Sequence, residues 1–144
     1  MTDLAIVELG PEDADDYLEL YRGFEWWADR DRANVERALE HTPLAVGLRE
    51  AGELVAAART LTDFVYYAKV YDVVVAESRR GEGFGARLME AVTETAALDS
   101  VDVLELRCRE GLVPFYEGAG FEVDDVRADV DGHDEAFVTM NYQR

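Results

Sequence analysis

The chain is 144 residues long, the size of one domain, and its 38 Leu, Ile, Val and Phe residues suffice for a core that needs neither disulfide nor metal. Thirty-two Asp and Glu against 13 Arg and the single Lys69 leave a net charge of −18, a field that repels nucleic acid and anionic membrane and so excludes partners of both kinds. No stretch free of charged residues exceeds eight, where a membrane span needs about 18; with no basic leader or apolar leader segment at its start and a lone Cys108, a cytoplasmic protein is expected.

In chain order, Leu4 to Leu9 reads as an opening strand, and Gly10-Pro11 starts a helix over Asp13 to Tyr21, Pro11 suiting the first helical position. The segment Asp31 to His41 places Val35 and Leu39 on one face of a second helix that stops near Pro43. Between the two lies Phe24-Glu25-Trp26-Trp27. PLAVGLRE and ELVAAARTLT read as antiparallel strands joined by a hairpin at Ala51-Gly52, and Val70 to Val75 as a buried strand rich in β-branched residues. Gly83 to Ala97 is the next helix, with Phe84, Leu88, Val92 and Ala96 four apart. VDVLELRC is a fifth strand, Gly111 to Gly118 a brief helix, and FEVDDVRADV and EAFVTMNY a final pair around Asp131-Gly132-His133. No repeat or linker interrupts this α/β order, so residues 1–144 are expected to form a single domain.

The surplus of acid has two readings: an acidic pocket for a cationic substrate, or a whole-surface, halophilic-type adaptation to concentrated salt, where self-repulsion is screened. The acids are spread along the chain and Lys is nearly absent, which favours salt.

Chemistry concentrates in VYDVVVAESRRGEGFGARLMEAV, a hydrophobic strand feeding a Gly-rich turn that opens into a helix. In such a turn backbone N–H groups and the positive end of the helix dipole converge, a geometry that holds pyrophosphate; the plain alternative is a tight turn with a helix cap. Arg80-Gly81-Glu82-Gly83-Phe84-Gly85 lacks the Lys-Ser/Thr pair of a triphosphate loop and is not the G-x-G-x-x-G of a dinucleotide fold.

Arg80, Gly83 and Gly85 match R/Q-x-x-G-x-G/A, and Phe115-Tyr116-Glu117-Gly118-Ala119-Gly120-Phe121 matches a downstream F-Y-x-x-x-G-F. With these two signatures about 30 residues apart, the chain resembles the GNAT-type N-acetyltransferases over its whole length. The resemblance implies a mixed, mostly antiparallel twisted sheet of about seven strands with four helices. It implies acetyl transfer from acetyl-CoA, as cosubstrate, to a primary amine by direct attack in a ternary complex. The backbone of Val73, Val74 and Val75 would hold the pantetheine arm, and Arg80, Gly81, Glu82, Gly83, Phe84, Gly85 and Ala86 the pyrophosphate. A bulge in the Val70–Val75 strand would aim an N–H at the thioester oxygen, and Arg79, Arg80 and Arg87 would be the nearest counter-charges.

Tyr116 is the candidate acid for the departing thiolate, since a phenol titrates near 10 and a thiol near 8.5; the alternative is a packed aromatic. Asp72 is the candidate base or amine-holding carboxylate, against a satisfied structural carboxylate. Two positions familiar as bases in some relatives hold Lys69 and Tyr71 here, leaving water-relayed proton loss open. Cys108, in a stretch similar to that of arylalkylamine acetyltransferases, reads as packing rather than nucleophile. With only His41 and His133, distant in sequence, no metal site is expected. Trp26-Trp27 and Phe64, Tyr66 and Tyr67 would wall an acceptor pocket or belong to the core, with Asp63 and Glu25 as acidic neighbours. The partners implied are a small-molecule or peptide amine and, for assembly, a homodimer. A non-catalytic acyl-CoA-binding or regulatory domain on the same scaffold is the rival reading.

Overall fold

A computed structural model describes residues 4–129 and 135–143. Among these residues seven strands form one mixed sheet: β1 (Leu4–Glu8), β2 (Leu44–Glu50), β3 (Glu53–Thr62), β4 (Tyr67–Val75), β5 (Val103–Arg109), β6 (Phe121–Ala128) and β7 (Phe137–Tyr142). Their spatial order is β1-β2-β3-β4-β5-β7-β6, and every neighbouring pair is antiparallel except β4 and β5. Four α-helices accompany them: α1 (Ala14–Tyr21), α2 (Arg32–Glu40), α3 (Phe84–Glu94) and α4 (Val113–Gly118). This is the architecture expected from the sequence.

The differences are local. Pro11–Asp13 is a single 3-10 turn before α1, and α2 begins after Asp31, whose carboxylate accepts the Asn34 amide at 2.8 Å as an N-cap. Helix α3 stops at Glu94 instead of Ala97 because Thr95 is extended (φ −65°, ψ 133°); a separate 3-10 turn follows. The turn expected at Asp131-Gly132-His133 lies outside the described residues.

Two apolar clusters sandwich the sheet. One packs α3 (Leu88, Met89, Val92) and Tyr116 of α4 on Ala68, Val70, Leu104, Leu106, Val138 and Met140. The other packs α1 and α2 (Tyr17, Tyr21, Val35, Leu39) on Ala45, Ala57 and Val74. Strand alternation would put residues 68, 70, 72 and 74 on one face, yet Val74 lies with α1 and α2. The inversion happens at Asp72, whose φ is +53°, inside a register shift of β4 against Ala57–Arg59 of β3. One extra residue there is a β-bulge, and a one-residue slip flips every side chain after it.

Candidate active site

Strands β4 and β5 pair in parallel only from Tyr67–Val103 to Val70–Leu106. Beyond Val70 the bulge turns β4 away, while Val74 and Val75 stay paired to Ala57 and Ala56 of β3. The β5 side of Val73–Val75 is therefore an unpaired strand edge at the mouth of a cleft, a place where an extended ligand can pair with backbone.

The bulge is held from below. The Asp72 Oδ2 atom accepts from Tyr21 Oη (2.8 Å), Arg30 Nη1 (2.8 Å) and Arg59 Nη2 and Nε (2.8 and 3.0 Å), and Tyr17 Oη donates to the Asp72 carbonyl at 2.9 Å. Burial works to raise the Asp72 carboxyl, but the Arg30 hydrogen bond and the charges of Arg59 and Arg30 outweigh it and hold the group below the usual carboxylate range. Burial and the adjacent carboxylate push the Tyr21 phenol well up, so it stays a donor. Three charge-assisted donors on one oxygen make a poor proton acceptor and a firm anchor, the structural alternative that the sequence left open. None of its four partners is signalled by a motif: Arg59 lies 13 residues away, Arg30 42, and Tyr21 and Tyr17 51 and 55.

Above the bulge lies a cavity of about 520 Å³ whose floor includes Val73, Leu106, Cys108, Leu112 and Tyr116. Phe24, Trp26 and Trp27 of the α1–α2 connection, Tyr71 of β4 and Phe137 of β7 give it aromatic walls. Tyr67, Asp63 and Glu25 are not among its lining residues. Asp63 instead accepts the Val65, Tyr66 and Tyr67 amides (2.9, 2.7 and 3.1 Å), shaping the β3–β4 loop, and Tyr67 is exposed. The wall residues that carry charge besides Asp72 are Lys69, Arg107 and Arg109, so an acidic acceptor pocket is not what the chain builds.

Tyr116 is 6% exposed, its ring edge-on to Phe115, and its hydroxyl has no hydrogen-bond partner among the described residues. Burial pushes its phenol far above the ordinary value, keeping it protonated. Cys108, on the same cavity floor, is pushed up to about 11 by burial and by Glu135, and its thiol lies 3.7 Å from Met140 Sδ. Burial thus favours the thiol over the thiolate there, which is in keeping with packing.

The glycine turn closes the other end of β4. Gly81 and Gly83 take positive φ (82° and 88°), Gly83 as the residue before α3, and nothing lies within 4 Å of where their β-carbons would stand. The Arg87 amide bonds the Gly83 carbonyl at 3.1 Å, so the amides of Phe84, Gly85 and Ala86 precede the first intrahelical bond and are available to an anion. Gly85 differs: a β-carbon there would sit 3.1 Å from Phe115 Cζ, so its smallness serves contact between the two sequence motifs. The three arginines expected as counter-charges are engaged elsewhere. Arg79 pairs with Glu50 (2.5 Å) and with Glu82 of the turn (3.2 Å), and Arg87 with Glu90 (3.2 Å). Arg80 folds back over the Phe24 ring (4.4 Å) toward the Val75 and Gly23 carbonyls.

The fold is shared with solved acetyltransferases. The ribosomal-protein-S18-alanine N-acetyltransferase of Escherichia coli superposes with a TM-score of 0.79 at 19% identity, over 97% of this chain and 93% of that one. An aminoglycoside 6′-N-acetyltransferase complexed with coenzyme A superposes at 0.76 and 19%, over 95% of each. In sequence, residues 19–143 match the model of the acetyltransferase (GNAT) domain, and the chain belongs to that family of acetyltransferases. It is 36% identical over 100 residues to the chloroplastic serotonin N-acetyltransferase 2 of Oryza sativa subsp. japonica, covering 66% of this chain and 50% of that protein. It is 34% identical over 97 residues to the chloroplastic GCN5-related N-acetyltransferase 1 of Arabidopsis thaliana, covering 66% and 49%. The chain thus spans about half the length of these curated relatives.

Proposed function

We propose that the chain transfers the acetyl group of acetyl-CoA directly to a primary amine within a ternary complex, with Tyr116 as the acid. The observation that carries this reading is the Tyr116 phenol: buried, protonated, without a hydrogen-bond partner among the described residues, and in one cavity with the unpaired edge of β4. The pantetheine arm pairs with Val73–Val75 as an added strand, and the pyrophosphate takes the amides of the turn from Arg80 to Ala86, chiefly those opening α3. The bulge that Asp72 anchors aims the Val73 N–H at the thioester oxygen, where it stabilises the oxyanion.

The amine nitrogen attacks the thioester carbon, the carbonyl π electrons move to oxygen, and on collapse the C–S bond breaks and Tyr116 delivers its proton to sulfur. Burial raises the Tyr116 phenol, so it still carries its proton when the thiolate leaves. The ammonium loses one proton to water before it attacks, since Asp72 is committed to its arginines, and the second N–H proton, lost from the tetrahedral adduct, passes through water to restore the Tyr116 phenol. Asp72 is thereby a positioning residue rather than the base.

The experiment is release of free CoA from acetyl-CoA over a panel of primary amines. Amine-dependent release is expected; tight acetyl-CoA binding with no release for any amine would support the non-catalytic acyl-CoA-binding alternative. A salt-adapted acidic surface belongs to the same proposal, on the strength of the −18 charge spread over the chain, and a cytoplasmic setting on that of the lone Cys108.

A further inference from the structure

We propose that the acceptor amine also carries a carboxylate, and that Arg107, with Arg109 beside it, is its binding site. This rests on the acetyl-transfer reading and names the substrate class for the same cavity. Along β5 the residues Leu104, Leu106 and Cys108 pack under α3 and α4, so Arg107 and Arg109 project from the opposite face. By the same alternation Lys69 and Tyr71 of β4 and Phe137 of β7 share that face, and all five line the cavity.

In a chain of net charge −18, this wall sets three cations against one carboxylate, Asp72, which is already shared between Arg30 and Arg59. The cations are unequally engaged. Lys69 stands 3.9 Å from Glu105 and Arg109 3.8 Å from Glu135, both loose pairs. Arg107 has no ion pair among the described residues; its guanidinium lies 5.3 Å from the Phe137 ring centroid and that of Arg109 4.9 Å from Trp26. Stacking on an aromatic ring fixes the plane of a guanidinium while leaving its N–H edge free, which suits bidentate pairing with a carboxylate.

These groups do not serve the cosubstrate's phosphates. The glycine turn opens α3, which packs on the other face of the sheet, and none of its residues lines this cavity. An acceptor whose amine reaches the floor between Val73 and Tyr116 would keep its apolar body among Trp26, Tyr71 and Phe137 and present its carboxylate to Arg107. A simple arylalkylamine would leave that arginine unused.

The test is a set of matched acceptors, tyrosine against tyramine and tryptophan against tryptamine, read as amine-dependent CoA release at the lowest KCl that keeps the protein folded. The carboxylate-bearing member is expected to have the higher kcat/KM by about tenfold, the scale of one charge-assisted hydrogen-bonded contact. In Arg107→Gln that ratio should collapse toward one. Calorimetry of N-acetyltyrosine against N-acetyltyramine supplies a second readout that needs no turnover, with the same preference expected. A preference for tyramine and tryptamine, or an unchanged ratio in Arg107→Gln, overturns the carboxylate assignment and leaves acetyl transfer standing. CoA release absent for all amines, with acetyl-CoA bound and N-acetyltyrosine preferred in calorimetry, overturns the transferase reading and keeps the anion site.

Discussion

The two walls of the cleft treat their polar groups in opposite ways. On the β4 wall Asp72 is surrounded by donors from three elements of the chain, while on the α4 wall the Tyr116 hydroxyl has none among the described residues. A buried polar group with every partner in place fixes geometry, because moving it would strand several groups at once. The Tyr116 ring is buried and lines the cavity, and its hydroxyl is held by no such clamp. By this measure Asp72 holds the bulge in place, and in the proposed mechanism Tyr116 is the group left free to move a proton.

The strongest way to break that contrast is Tyr116→Phe. It should lower kcat by about 10²–10⁴, the usual range for a lost general acid, with acetyl-CoA affinity nearly unchanged in calorimetry. An unaltered kcat with chemistry rate-limiting would make Tyr116 a packing residue like its neighbour Phe115.

Arg59→Met probes the opposite wall. Removing one partner of a buried, 9%-exposed carboxylate should cost about 3 kcal/mol in urea unfolding, and kcat should fall more than the acetyl-CoA KM rises, because the bulge loosens. The same group sets a pH window. Since folding depresses the Asp72 value, its stabilisation is present above the unfolded carboxyl value near about 4 and fades as pH falls below it. Asp72→Asn should flatten that acid limb of the stability profile; an unchanged limb would mean the clamp carries no weight.

Smaller effects separate the two glycines. Gly83→Ala places a side chain at φ +88° and should cost about 1 kcal/mol of stability from left-handed strain. Gly85→Ala should cost less, because the half-exposed Phe115 ring can shift and Ala favours the helix. Thermal melts rank them; the reverse order would return Gly85 to the turn's conformation. Smallest per charge is the surface: melting temperature and acetyl-CoA affinity should rise from 0.1 to 2 M KCl, as screening shrinks to about 3 Å near 1 M. A steady fall in both would count against salt adaptation.

Much of this was legible in the sequence, and what was hidden has a common cause. The strands, the helices and the two motifs are local patterns, so periodicity, glycine spacing and the F-Y-x-x-x-G-F run located the turn and Tyr116 directly. The Asp72 clamp is long-range: nothing in the neighbourhood of Arg30 or Arg59 says that both meet one carboxylate. Arg79 and Arg87 pair with Glu50, Glu82 and Glu90, because nearness in sequence to the turn does not fix a side chain's direction. The basic wall did leave a trace. In VLELRCR the charged residues alternate with buried ones, so from Glu105 onward one face of β5 is charged, and its last two members are arginines. Total charge masked a local excess of the opposite sign.

The bulge at Asp72 also bears on how this strand tolerates change in length. Val73, Val74 and Val75 are alike, so a deletion of one would leave the composition of β4 almost as it was and its hydropathy profile unbroken. It would nevertheless remove the phase shift, carry the remaining valines to the wrong faces and close the gap between β4 and β5 where the cleft opens. Substitution by another aliphatic residue should matter less at the half-buried Val73 and Val75 than at Val74, which is fully buried against α1 and α2. Beyond Asp72, then, the number of residues in the strand should matter more than which apolar residue stands at Val73 or Val75.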